Sequence, residues 1–228
     1  MRFRPAASFA LFGAMTFHTA QAQAPSQLTV VELFQSQGCS DCPPANANLI
    51  ALSGRNDLLT LSFGVTYWDK LGWKDTFASP QFTERQWEYA HAFGRTEVFT
   101  PEIVVNGRAD VVGANRGELE ALIRHEAHDG GPTVTIRGSA VEIAAGAGKA
   151  DVWLVSYDPN IVQVPIARGE NSGRTLPHKN VVKALVKLGE WTGATQTFRF
   201  PPGRNITWRS AVLVQQGLGG PIIAAARE

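Results

Sequence analysis

The chain has 228 residues, 44% of them hydrophobic, and a formal net charge of +1. That length allows one large domain or two small ones, and a balanced charge without a basic tract speaks against nucleic acid or an anionic membrane surface as partner. Two cysteines exclude a multiply bridged disulfide scaffold.

Residues 1–24 read as a secretory signal peptide. Arg2 and Arg4 form a basic start, Ala6 to Phe17 an apolar stretch, and Ala20-Gln21-Ala22 and Ala22-Gln23-Ala24 offer cleavage sites. The apolar stretch falls short of the roughly 20 residues that span a bilayer, so no membrane span is expected after cleavage. Cleavage removes two of the 21 basic residues, leaving 19 against 20 acidic ones. Export places the protein in the periplasm or outside the cell, where a cysteine pair rests oxidised; the absence of any other sorting feature favours the periplasm.

Leu28-Thr-Val-Val-Glu-Leu-Phe34 predicts a strand, and a helix is predicted from Pro43, with Leu49, Ile50 and Leu52 as its apolar stripe. Between them lies Cys39-Ser40-Asp41-Cys42. A C-x-x-C where a strand feeds a helix points to redox chemistry, because a helix N-terminus favours a thiolate. As a staple the pair is poor: a four-residue loop is worth about 2 kcal/mol, against nearly 5 for a hundred-residue loop. Cys39 is expected exposed at the helix N-terminus, attacking a substrate disulfide, and Cys42 one turn inside, resolving the mixed disulfide. Asp41 opposes the thiolate, so the direction of electron flow does not follow from the sequence. A structural disulfide and a metal site are the other readings of the pair.

Leu58-Leu-Thr-Leu-Ser-Phe63 is a second strand, apolar enough for burial on both faces. In the Trp-rich stretch that follows, Tyr67, Trp68 and Trp73 either floor a substrate-binding groove beside the disulfide or form the small core of an insertion. Asp69, Lys74, Asp75, Glu84 and Arg85 read as a solvated face. Ser79 and Pro80 open a second helix with Phe82, Tyr89, Ala90 and Phe93 on one stripe. Thr100-Pro101 then precedes a hairpin pairing Ile103–Val105 with Asp110–Val112 across Asn106-Gly107. Asn115-Arg-Gly-Glu118 resembles a capping box opening a third helix. The order β-α-β-α-β-β-α over residues 27–128 is that of the thioredoxin fold. In such proteins a cis-proline faces the cysteines and leaves the backbone before it free to pair with a bound peptide; Pro101, after Thr100, is expected to be that residue.

His128-Asp-Gly-Gly-Pro132 reads as a linker. Beyond it, over residues 132–228, short apolar or alternating runs suggest a β-sandwich of about 100 residues. His178–Leu188 fits helix and strand equally by period; β-branched Val181, Val182 and Val186 favour strand. Arg168-Gly-Glu-Asn-Ser-Gly-Arg174 reads as a polar hairpin loop from which Arg174 and His178 could reach the cysteines. The expected fold is therefore α/β, thioredoxin-like with a helical insertion, followed by a mostly β, sandwich-like C-terminal domain. A Cys pair with a histidine could hold Cu(I), but His91, His125, His128 and His178 stand at no ligand-like spacing to it. Neither a metal nor a cofactor is expected beyond the redox-active Cys39–Cys42 disulfide itself.

Val31-Glu-Leu-Phe34, Gly38-Cys39-Ser-Asp-Cys-Pro-Pro-Ala45, Tyr67-Trp-Asp69, Leu71-Gly-Trp-Lys-Asp75, Phe77-Ala-Ser-Pro80, Thr100-Pro101, Val105-Asn-Gly107 and Val112-Gly113 together resemble a bacterial family of secreted thioredoxin-like proteins of unknown function. Arg168–Arg174 and His178-Lys-Asn-Val-Val182 resemble its second half, so the likeness covers essentially the whole mature chain. It implies a thioredoxin fold plus a β-rich domain, and export, but no established activity. The pattern departs at Gly64-Val-Thr66, where the family tends to read His-Val-Asp, and at Asp41 and Asn46, where it favours serine and aspartate. These departures remove groups that could have served as proton acceptors or metal ligands. The function expected is that of an exported thiol–disulfide oxidoreductase acting on protein or peptide thiols and disulfides. Its rivals are a non-enzymatic binding module that grips a partner through Trp68 and Trp73, and a Cu(I)-handling protein.

Overall fold

In β1 (Thr29–Gln35) every residue is buried, because the strand is sandwiched on both sides. The pleat sends Val31 and Leu33 to one face and Val30 and Phe34 to the other. β2 (Leu58–Gly64) lies parallel beside it, as the crossover through α1 (Cys42–Leu52) requires. The computed structural model describes residue 1, residues 27–127 and residues 130–228; the expected signal peptide, beyond Met1, and linker residues 128–129 lie outside the described residues.

A 3₁₀ turn over Asp69–Leu71 leads to α2 (Pro80–Ala92). β3 (Glu102–Val105) and β4 (Ala109–Val111) form the expected hairpin, and β3 pairs antiparallel with β1. α3 (Arg116–Glu126) opens on Asn115, whose side-chain oxygen accepts from the N–H groups of Gly117 and Glu118. α1 and α3 cover the Val31/Leu33 face of the sheet through Leu49, Leu52, Leu119 and Ile123. α2 covers the Val30/Phe34 face through Phe82 and Tyr89.

The second half supplies β5 (Val134–Arg137), β6 (Ala140–Ile143), β7 (Ala150–Asp158), β8 (Val162–Pro165), β9 (Thr175–His178), β10 (Val181–Trp191), β11 (Gln196–Arg199), β12 (Arg209–Gln215) and β13 (Ile222–Arg227). β10 meets β2 in parallel at Val181 and Ser62 and pairs antiparallel with β7. Asn180 welds that junction: its carbonyl accepts from Ser62 N at 2.9 Å, and its Nδ2 donates to Thr60 O at 2.9 Å and Thr60 Oγ1 at 2.7 Å. One sheet therefore runs β13-β12-β7-β10-β2-β1-β3-β4. A three-stranded sheet, β11-β6-β5, packs Val141, Ile143 and Phe198 with Val152, Trp191 and Val212. β8 and β9 pair with each other as a separate hairpin.

This overturns the expected fold class. The chain is mostly β, built on a mixed eight-stranded sheet with three α-helices among the described residues, and not a thioredoxin-like unit followed by a β-sandwich. The physical reason lies at β2. A strand buried on both faces cannot leave a row of N–H and C=O groups unpaired along one edge. Asn180 and Val181 at the start of β10 take up Thr60 and Ser62 there, and residues 78–79 meet Gly64. No helix among the described residues is long and apolar enough to cross a membrane.

Candidate functional site

Past β1 the chain turns tightly into α1. Cys39 N donates to Ser36 O at 3.1 Å, Gly38 N to Ser36 Oγ at 3.1 Å, and Cys42 N to Cys39 O at 3.3 Å. Cys42 is the first residue of α1, followed by Pro43 and Pro44 in positions where a missing N–H costs little. The first turn carries no acidic side chain, and Asp41 makes no side-chain capping bond. Cys39 and Cys42 are disulfide-bonded with their Cα atoms 5.4 Å apart. Two expectations need correcting. Cys42 opens the helix instead of lying one turn inside it, and Cys39 is 1% exposed, as is Cys42, so neither sulfur is solvent-reachable in this form.

Gln37, just ahead of the cysteines, is fully buried and spends every polar atom. Its N donates to Asp75 Oδ2 at 2.7 Å and its Nε2 to Thr76 Oγ1 at 2.9 Å; its Oε1 accepts from Trp73 Nε1 at 2.9 Å and Thr76 N at 3.2 Å; its carbonyl accepts from Asn171 Nδ2 at 3.0 Å. The Trp-rich stretch thus works as a clamp on the cysteine turn. Asp75 and Arg85, expected on a solvated face, are 4% and 2% exposed. Burial raises the Asp75 carboxyl above its ordinary value, against the pull of N–H donors from Gln37 and Phe77.

Trp68 joins the cysteine turn to the proline segment. Its Nε1 donates to Thr100 Oγ1 at 2.7 Å, and a Cβ placed on Gly38 would lie 3.8 Å from its own Cβ. The Thr100-Pro101 peptide is cis. Tyr67 donates its hydroxyl to Gln86 Oε1 at 3.2 Å, has Thr100 within its hydrogen-bonding reach, and packs with Trp68 on the core beneath α2. Trp73 and Phe77 instead pack against Val164, Ile166 and Leu176 of the β8–β9 hairpin.

That hairpin lies on the cysteines. Asn171, fully buried, donates from Nδ2 to Cys39 O at 2.8 Å as well as to Gln37 O, and its Oδ1 accepts from Arg174 Nη1 at 2.6 Å. Glu170 Oε2 accepts from Ser40 N at 3.2 Å. Further along, Asn46 Nδ2 donates to Pro177 O. Sequence reasoning singled out the 168–174 segment for Arg174 and His178; it missed Asn171, Glu170 and Gln37, and the one available cue was a polar tip between two glycines.

His178 ends the hairpin in a buried amide cluster. Its Nδ1 lies 3.4 Å from Gln35 Nε2, which also bonds Ser62 Oγ at 2.7 Å and Asn46 Oδ1 at 3.2 Å. Phe77 meets the ring edge-on at 5.5 Å, and Nε2 has no hydrogen-bond partner among the described residues. Among those residues no group of three His, Cys, Asp or Glu side chains is placed to hold a metal.

At Gly64 a Cβ would lie 2.8 Å from Phe77 C and Ala78 N, so the histidine implied there by resemblance has no room. Gly64→Ala is expected to destabilise the protein by about 1–3 kcal/mol through backbone overpacking. Its urea midpoint should fall; an unchanged midpoint would mean that residues 77–78 yield freely.

The family described as Protein of unknown function (DUF1223) matches residues 30–215. Among solved structures, protein AGR_C_4864 from Agrobacterium tumefaciens is similar at 34% identity and a TM-score of 0.73, over 90% of this chain and 95% of that one. HBP35 of Porphyromonas gingivalis shares 12% identity at a TM-score of 0.55, over 91% of this chain and 76% of that one, a likeness of fold alone. No curated protein matches the chain.

Proposed function

Since the chain belongs to the DUF1223 family, whose description assigns no activity, we propose from its own site that it is an exported thiol–disulfide redox protein whose working couple is Cys39–Cys42. The observation that carries this reading is the bonded pair at the mouth of α1, where the helix dipole favours a thiolate against the Asp41 carboxylate at the N-cap. Gln37, bonded to Asp75, Trp73 and Thr76, fixes the backbone on which the couple sits. In the reaction, a thiolate of a partner dithiol attacks Sγ of Cys39. The Cys39–Cys42 bond breaks, and its electron pair leaves on Cys42 Sγ, which takes a proton. The partner's second thiolate then closes on its own mixed-disulfide sulfur and frees Cys39. Two electrons pass from partner to couple, and the reverse sequence oxidises the couple. The partners are protein or peptide thiols and disulfides.

The couple's reduction potential should lie well above about −300 mV, the region of inert structural bridges, and insulin reduction should vanish in Cys39→Ala. A potential at or below that region, with an inactive wild type, removes the proposal. One observation favours a second reading: both cysteine residues are 1% exposed, as in a structural disulfide of a binding module. That reading expects partner capture to survive Cys39→Ser and fail in Trp73→Ala.

A further inference from the structure

The segment over the cysteines is built as a separable piece. β8 and β9 share a ladder with each other and with neither larger sheet. The base of the hairpin is held from outside, where Asn46 Nδ2 donates to Pro177 O and Gln35 Nε2 meets His178 Nδ1. Their apolar contacts form a small cluster of their own, Val164, Ile166 and Leu176 against Trp73 and Phe77. The tip, residues 168–174, is bounded by Gly169 and Gly173, both at φ +80°, a backbone region that costs glycine little. Gly169 also sits close on the Trp-rich clamp: a Cβ there would lie 3.3 Å from Trp73 Cβ.

The tip makes three hydrogen bonds to the cysteine turn, from Asn171 Nδ2 to Gln37 O and Cys39 O, and from Ser40 N to Glu170 Oε2. Two of them use the carbonyls on either side of Gly38, and the third uses the first amide after Cys39. These are backbone groups beside the sulfur that a docking partner would meet. Asn171 is fully buried there although Ser172, Gly173 and Arg174 beside it are exposed. A buried amide side chain is tolerated because both its ends are bonded, and here those bonds run to the cysteine turn and to Arg174.

We propose that residues 168–174 are an autoinhibitory strap: closed, they hide the Cys39–Cys42 bond, and they must lift before Cys39 reacts. The inference rests on the redox reading of the same pair and adds its regulation. Closed and open forms are two states, and loss of a contact made in only one of them moves the balance. Asn171→Ala removes two of the three bonds, Glu170→Ala the third.

The test is the rate at which dithiothreitol reduces the full chain, followed by quenching with an alkylating reagent and weighing the product. The dithiothreitol thiolate attacks Cys39 Sγ, the pair's electrons leave on Cys42, and the second thiol closes the oxidised ring. Asn171→Ala should be reduced about tenfold faster than wild type, and Glu170→Ala about threefold faster. Near-ultraviolet circular dichroism checks that each variant is folded. Should Asn171→Ala fail to fold, Glu170→Ala decides alone, since its side chain is exposed. Rates equal to wild type in the folded variants overturn the strap. The two ideas fail separately, because the strap is judged by these rates and the redox reading by the potential and by insulin reduction.

Discussion

Glu32→Ala is expected to cost about 3–5 kcal/mol of stability, the toll of stranding a buried charge. Glu32 stands in the middle of β1 with no exposure, inside an otherwise apolar run. Its carboxylate accepts from Arg85 Nε at 2.8 Å, from Arg85 Nη2 at 3.1 Å, and from the Tyr89 hydroxyl. Arg85 reaches on to Gln215 Oε1 at 3.0 Å, and Gln215 Nε2 returns to the Tyr89 oxygen at 3.1 Å. The network thus ties α2 to β1 and β12. Burial works most strongly against the Arg85 charge, Glu32 with Tyr89 and Glu88 together outweigh it, and the guanidinium is held above its ordinary value. Without Glu32 the guanidinium keeps the burial and loses the partner. With about 5–15 kcal/mol available to a typical domain, the single variant should show a much lower urea midpoint. Replacing both partners, Glu32→Met with Arg85→Met, should cost less than Glu32→Ala alone, because no unpaired charge remains. If the double variant is the less stable, the penalty lies in lost packing instead.

Acid should weaken the fold through His178. Burial first, then the charge of Lys183, pushes this imidazole from its ordinary 6.5 down to about 4. The unfolded chain therefore takes up a proton below about pH 6.5, while the folded chain resists until about pH 4. The stability at stake is whole above pH 6.5 and is lost as pH falls to 4, by about 3 kcal/mol in all. Unfolding free energies of wild type and His178→Leu at pH 7 and pH 4 isolate this residue from the carboxylates common to both. Wild type should lose more between the two pH values, by about that amount. Equal losses would show that the ring protonates freely in the folded protein. The position matters for the site, since His178 closes the hairpin whose tip bonds the cysteine turn and touches Gln35 at the end of β1.

What the sequence revealed was local. The apolar runs at Thr29–Gln35 and Leu58–Gly64, the Asn106-Gly107 hairpin, the Asn115 cap and the β-branched residues of Val181–Trp191 each encode their own element. What it hid depends on residues far apart in the chain. The pairing of Val181 with Ser62 makes one sheet of two halves, and no period or composition signals it. Cys39 reads as exposed because its own neighbours are those of an open turn; the Asn171 amide that bonds its carbonyl comes from far along the chain. Glu32 and Arg85 did leave a trace. Each is a lone charge among buried apolar positions, Glu32 between Val31 and Leu33 and Arg85 beside Phe82 and Tyr89, and such charges require each other.

The seam at Val181 has a consequence for biogenesis. Ribosomes finish β2 long before residue 181 exists, so the nascent polypeptide carries a bare strand margin throughout that interval. Such margins recruit one another and seed aggregates. The margin closes only when Asn180 and Val181 reach Thr60 and Ser62.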